Sequence, residues 1–169
     1  MFERPAVTIV FLALMAGAAP ARPEEAAVPK SHPSIPAFFN GFNKHSMHLL
    51  DDFYAPDVLF RDPVSEIRGV PGIRAYYAKM YENLISIRFD FDTEVGQGDE
   101  VFAPWVMHMR HKAIAGGKEI AVPGVSHFRF KNGKAVYHRD YFDMGAFVYE
   151  HVPVIGAGVR YVKKKVAGH

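Results

Sequence analysis

Two hydrophobic periods divide the chain. Between Ser34 and Ala55 the residues Phe38, Phe39, Phe42, Met47, Leu50, Phe53 and Tyr54 fall on the spacing of one amphipathic helix. Ser34 precedes Pro36 as a capping side chain precedes an early proline, so the helix is expected to open there. Pro56-Asp57 ends it, and Val58-Leu59-Phe60 reads as a short strand. Asp62-Pro63 begins a turn, because the residue before a proline is pushed out of the helical region. Gly69 and Pro71 then start a second helix, expected from Pro71 to about Leu84, with Ile73, Tyr77, Met80 and Leu84 on one face.

From Ile85 the period becomes two. Ile85, Ile87, Phe89 and Phe91 alternate with Ser86, Arg88, Asp90 and Asp92, as in a half-buried strand. Three turn sequences follow, Gly96-Gln97-Gly98-Asp99, Gly116-Gly117-Lys118 and Lys131-Asn132-Gly133-Lys134. They delimit strands from Val101 to Lys112, from Glu119 to Phe130 and from Lys134 to Asp143. Two or three helices followed by an antiparallel meander predict an α+β fold, a curved sheet wrapping around N-terminal helices. No internal repeat interrupts this order.

Past the meander, Tyr149, Val152, Ile155, Val159, Val162 and Val166 recur at intervals of three and four. They predict a helical tail ending in the basic group Arg160 and Lys163 to Lys165. Two readings stand for it: a helix docked on the domain or on a second copy, or one lying on an anionic membrane through residues 149–166.

Composition changes this picture little. The 169 residues suit one domain with a core large enough to need no staples. With no cysteine there are no disulfides, thiolate metal sites or thiol nucleophiles. The formal net charge of +2 is close to balance, and no broad basic surface with interleaved aromatics points to nucleic acid. Aromatics make up 14% of the chain, enough to line an apolar cavity as well as fill a core. The N-terminus does add something. Arg4, an apolar run from Ala6 to Ala19 and then Ala19-Pro20-Ala21 have the layout of a secretory signal peptide cleaved after Ala21, with Glu3 as a departure from it. With a signal, the protein is secreted or periplasmic; without one, it is cytoplasmic. Residues 22–33, rich in Pro, Ala and Glu, read as a linker.

The chemistry concentrates in His138-Arg139-Asp140-Tyr141-Phe142-Asp143. Alternation places Val136, His138, Asp140 and Phe142 on one face of the last strand. A carboxylate and an imidazole on an apolar face cost about 1–3 kcal/mol each to bury unpaired, so they are either a paired structural couple or the acid and base of a pocket. Asp140 is the first candidate for proton transfer, His138 its partner or orienter, and Asp62 a third group at the mouth that is also ordinary turn chemistry. Trp105, Met107, Tyr77, Met80 and Phe128 are the expected wall of a small-molecule site, or simply core. Asp143 reads as a helix cap. The nine histidines give no ligand spacing, and no glycine-rich phosphate or dinucleotide loop occurs, so no metal and no cofactor is implied.

Several runs carry a family resemblance: Phe53-Tyr54-Ala55-Pro56-Asp57-Val58, Phe60-Arg61-Asp62-Pro63, Gly69-Val70-Pro71-Gly72-Ile73, Asn132-Gly133-Lys134 and the His138 to Asp143 run. In order and spacing they resemble the nuclear transport factor 2-like superfamily, in particular its SnoaL-like, polyketide-cyclase-related branch. The resemblance implies a SnoaL-like domain over 34–145, with residues 146–169 as an apolar and basic tail. It implies a cone-shaped α+β barrel around an apolar pocket, often dimerising through its sheet. The last strand also resembles that of limonene epoxide hydrolase, which would match Asp140 to one member of an Asp-Arg-Asp set. Trp105 and Met107 stand where its other two members belong, so epoxide hydrolysis is not implied. The implied activity is cofactor-independent isomerase, cyclase or lyase chemistry by Asp140 on a small apolar carbonyl or polycyclic compound, in a homodimer. The alternative is a non-catalytic binder of a hydrophobic small molecule, held at a membrane by its tail.

Overall fold

The computed structural model describes residues 32–152 and 154–168. The signal-peptide reading and most of the linker fall outside them. His32, at the linker's end, stacks on Phe130 with ring centroids 4.6 Å apart.

The long first helix expected from the sequence is two short ones, α1 (Ile35–Gly41) and α2 (Leu49–Phe53). Ser34 does open α1, its hydroxyl accepting from the Ala37 amide at 3.3 Å. The break has a local cause. Asn43 Oδ1 accepts from the His45 amide at 2.9 Å and Ser46 Oγ from the Asn43 amide at 2.8 Å. Side chains that bond nearby backbone offer it an alternative to the helix. The apolar stripe keeps its purpose across the break, since Phe38, Phe42, Leu50 and Phe53 are all buried. Strand β1 (Tyr54–Arg61) begins at once, earlier than the pattern indicates.

After β2 (Glu66–Arg68), α3 runs over Gly69–Tyr81, so Leu84 belongs to strand β3 (Leu84–Phe91) and not to the helix. Next come β4 (Val95–Gln97), β5 (Glu100–His111), β6 (Glu119–Lys131) and β7 (Lys134–Phe142). A one-turn α4 (Met144–Phe147) and the tail helix α5 (Ile155–Val166) finish the chain. The strands form one curved, open sheet in the order β2-β1-β7-β6-β5-β3, with β4 also beside β5. Every pairing is antiparallel except β1 with β7. Asn40 ties α1 to the edge strand β3 by exchanging two hydrogen bonds with the Phe89 backbone, each 2.9 Å.

Two bulges correct the simple alternation. Opposite β5, Leu84 pairs with His111 and Ser86 with Arg110, so Ile85 is the extra residue and turns outward, 45% exposed. Opposite β6, Phe130 pairs with Ala135 and Arg129 with Tyr137, which makes Val136 the extra residue on β7. Val136 therefore does not share the face of His138, Asp140 and Phe142; Ala135 fills the core place below them.

The inner side of the sheet carries two apolar clusters. One joins the helices to β1 and the far ends of β6 and β7, through Phe38, Phe53, Phe60, Ile73 and Phe128. The other lies on β5 and β6, through Trp105, Met107, Met109, Ile120 and Val122. Trp105 lies across β6 at Gly124, where a Cβ would sit well inside contact distance of the indole ring. Gly124→Ala is therefore expected to destabilise the fold by about 1–3 kcal/mol through overpacking. Because Trp105 is the sole tryptophan, its emission reports any displacement of the indole directly. An unchanged emission spectrum and unfolding midpoint would disprove this packing.

Candidate functional site

A cavity of about 80 Å³ occupies the seam between the two clusters. Phe42, Phe60 and Tyr77 wall it from the first cluster, and Trp105, Met107 and Met109 from the second. Phe147, on α4, closes one side, while Asp62 and Asp140 are its two carboxylates. Met80 and Tyr76 also line it, both on α3.

Asp140 sits at the meeting point of two hydrogen-bond chains. In the first, the buried hydroxyl of Tyr54 bonds His138 Nδ1 at 2.8 Å, and His138 Nε2 bonds Asp140 Oδ1 at 2.8 Å. In the second, Trp105 Nε1 donates to Ser126 Oγ at 2.8 Å, and Ser126 Oγ donates to the same Oδ1 at 2.5 Å. The directions follow from chemistry. Indole N–H is only a donor, and an ionised carboxylate only an acceptor. Tyr54 donating to Nδ1 leaves the imidazole proton on Nε2, where it faces the carboxylate. Both donors address Oδ1, while Oδ2 takes no hydrogen bond from the described residues, and Asp140 is among the residues that line the cavity.

His138 itself does not reach the cavity. It is fully buried, stacked on Phe128 at 4.3 Å and edge-on to Phe60 at 5.0 Å. Phe128, also expected in the wall, is not among the residues that line this cavity; its ring stacks on the imidazole of His138. Trp105, Met107, Tyr77 and Met80 do line the space.

Asp62 serves its turn and its cavity together. Oδ1 accepts from the amides of Val64 and Ser65 at 2.7 and 2.6 Å, while Oδ2 accepts from the Tyr76 hydroxyl at 2.7 Å. Asp143 caps α4, accepting from the Gly145 amide at 2.6 Å. Its charge is also held by Lys163 of α5 at 2.7 Å, which with two backbone amides keeps that carboxyl below the usual range.

The tyrosines around Asp140 are kept protonated. Burial pushes Tyr54 and Tyr77 well above the ordinary tyrosine range, and the negative charge of Asp140 adds to both. A hydrogen bond from Tyr77 to Tyr54 works the other way and is the smaller effect. Tyr76 rises through burial, then through its bond to Asp62. Tyr81 is pushed up to about 12 by burial. These hydroxyls remain donors at any physiological pH.

Sequence reasoning reaches Asp140, His138 and Asp62 but misses Tyr54, Ser126, Tyr76 and Phe147 as parts of the site. Ser126 carries a signal in hindsight, a lone hydroxyl on an inward strand position flanked by apolar ones. Tyr54 carries none, since it reads equally well as the end of a helix stripe.

The model of the SnoaL-like domain matches residues 35–138. The chain belongs to the SnoaL-like domain family. Among solved structures, it is similar to a protein of ketosteroid isomerase-like fold from Catenulispora acidiphila, in complex with trimethylamine. That match has 19% identity and a TM-score of 0.59 over 69% of this chain and 86% of the other. It is similar to a protein assigned as a SnoaL-like polyketide cyclase from a Jannaschia species, with 17% identity and a TM-score of 0.57 over 66% and 83%. TerC, co-crystallised with polyporic acid, matches at 23% identity and a TM-score of 0.57 over 63% and 86%. These likenesses establish the nuclear transport factor 2-like fold for this SnoaL-like protein. No curated protein matches it.

Two outcomes follow from the site. Tyr54→Phe leaves His138 Nδ1 buried without a partner and should cost about 1–3 kcal/mol in denaturant unfolding. An unchanged midpoint would mean that the imidazole finds another partner. The raised tyrosines set an alkaline limit. Their folded pKa values exceed the unfolded ones, so their contribution is whole below about pH 10 and is lost as pH rises beyond it. Ultraviolet titration should show Tyr54, Tyr76 and Tyr77, three of the eight tyrosines, ionising only as the protein unfolds. All eight ionising together in a folded protein would contradict the burial.

Proposed function

We propose that this SnoaL-like protein moves a proton on a small apolar carbonyl compound, with Asp140 as the base. The observation that carries the reading is the asymmetry of the Asp140 carboxylate at the wall of an apolar cavity: Oδ1 is held by Ser126 and His138, while Oδ2 has no hydrogen bond from the described residues. A carboxylate fixed in this way is oriented before substrate arrives, and water is largely excluded from its free oxygen. Oδ2 takes a proton from the carbon beside a carbonyl, the enolate forms, and the same oxygen returns the proton to the conjugated position or to an adjoining atom as a ring closes. Tyr76, a donor within the cavity wall, turns from Asp62 to the carbonyl oxygen as charge builds there. His138 acts through Asp140, as a positioning residue.

Volume limits the substrate. At about 80 Å³ the cavity is well under the roughly 300–1,000 Å³ of sites that enclose a drug-sized ligand. A single small ring fits once Met80, Met107 or Met109 changes rotamer, which unbranched thioether side chains do readily. A polycyclic substrate needs α4 and Phe147 to move aside. Two neighbours of like fold give support, one solved in complex with trimethylamine and the other, TerC, co-crystallised with polyporic acid.

A second reading has an observation of its own. Tyr76 and Tyr77 already donate, to Asp62 and Tyr54, so the cavity has no idle tyrosine donor for an oxyanion. That favours a non-catalytic binder of apolar ligands.

Deuterium exchange into the carbon beside the carbonyl of a small cyclic ketone separates the two. The protein should accelerate exchange over buffer, and Asp140→Asn should lose about 100-fold or more of that rate. Tyr76→Phe should lose about tenfold or more with Asp140 intact. Saturable binding of the ketone without any exchange would leave the binder.

A further inference from the structure

The tail helix α5 is docked by the wrong edge. An ordinary surface helix buries its apolar stripe and shows its charges to water. Here the contacts that tie the helix to the domain are polar and lie at the surface. Lys163 Nζ bonds Asp143 at 2.7 Å and Glu150 at 2.6 Å, and Arg160 donates to the Glu150 carbonyl at 2.8 Å. Gly156 is the one buried residue of the helix, and a Cβ there would run into that same carbonyl. Most of the apolar stripe is left outside, with Val159 half-buried. Ile155 is 54% exposed, Val162 57% and Val166 84%, with Tyr161 at 63% beside them. Among the described residues, seven of the twelve exposed large hydrophobics fall between Tyr149 and Val166.

The charges around that stripe choose its occupant. From His151 to the end the sequence has no Asp or Glu, while Arg160, Lys163, Lys164 and Lys165 are all cationic. Lys163 and Lys165 lie on opposite flanks of the stripe, and Lys165 reaches over Tyr161 at 5.7 Å. A second copy meeting this surface across a two-fold axis would bring like charges together. An anionic lipid surface does the opposite. It accepts the valines and isoleucine into its interfacial layer and the Lys165 ammonium beside the stripe at its phosphates, while Lys163 stays with Asp143 and Glu150.

We propose that residues 149–166 are an interfacial anchor, which seats the protein on an anionic membrane with the apolar stripe of α5 facing the lipid. The inference rests on this surface and not on the reading of the cavity.

The test is co-sedimentation of the full chain with vesicles of phosphatidylcholine alone, and with about three parts in ten of phosphatidylglycerol added. The protein should bind the anionic vesicles, and release on adding salt to about 0.5 M. Val162→Asp and Lys165→Glu are surface changes that leave the fold intact, checked by circular dichroism, and each should weaken binding about fivefold or more. The apolar run at 6–19 is present in every variant, so it cannot produce the difference. Equal binding to both vesicle types, or binding that neither variant alters, overturns the proposal. A dimer in solution that Val162→Asp dissociates, without vesicle binding, overturns it in favour of a second copy.

Discussion

Putting a carboxylate and an imidazole inside a shell of aromatic rings is the constraint from which much of this molecule follows. Each polar atom there needs a partner, because an unpaired one costs as much as a large share of a domain's net stability. The chain supplies partners from four elements: Tyr54 where α2 passes into β1, Trp105 on β5, Ser126 on β6 and the pair itself on β7. Strand register then ceases to be free. Slipping β6 against β7 would separate Ser126 from Asp140, and the parallel placement of β1 beside β7 brings Tyr54 and Phe60 to the imidazole. One polar knot sets the alignment of the middle of the sheet.

The cavity has a related origin. The two apolar clusters belong to different pairs of layers, the helices against the sheet and the sheet's own curved half with the C-terminal segment. They meet along a line where neither set of side chains fills the corner. Asp140 looks into that corner because it lies near the end of β7, past the point where the first cluster stops. Its chemistry is thus set by position: one oxygen held by donors, the other without one, at the wall of an apolar cavity.

Periodicity made most of this fold legible. The change from three-and-four spacing to alternation marks the passage from helices to sheet, and the Asn-Gly turn fixes the β6–β7 hairpin. What periodicity cannot carry is interruption. The Asn43–Ser46 turn leaves the apolar stripe untouched while breaking the helix, and the bulges at Ile85 and Val136 move one residue each without altering composition. Asp140 and His138 stood out as polar residues on an apolar face. Tyr54 did not, since its partner lies 84 residues away and a tyrosine in an apolar stripe looks like core until its hydroxyl is placed. Phe128 shows the converse, an apolar residue on the inner face whose ring stacks on the imidazole, a contact that no spacing announces.

Gly124 carries a consequence for comparing relatives. The indole of Trp105 can lie where it does because the facing strand has no side chain at that point. Part of the cavity's outline is therefore written at a residue that never borders it. Two SnoaL-like proteins with identical wall residues would admit different molecules if one had alanine or serine here. A survey restricted to the wall would see no difference between them. Divergence of the cavity's shape can begin on the neighbouring backbone, ahead of any change in the groups that line it.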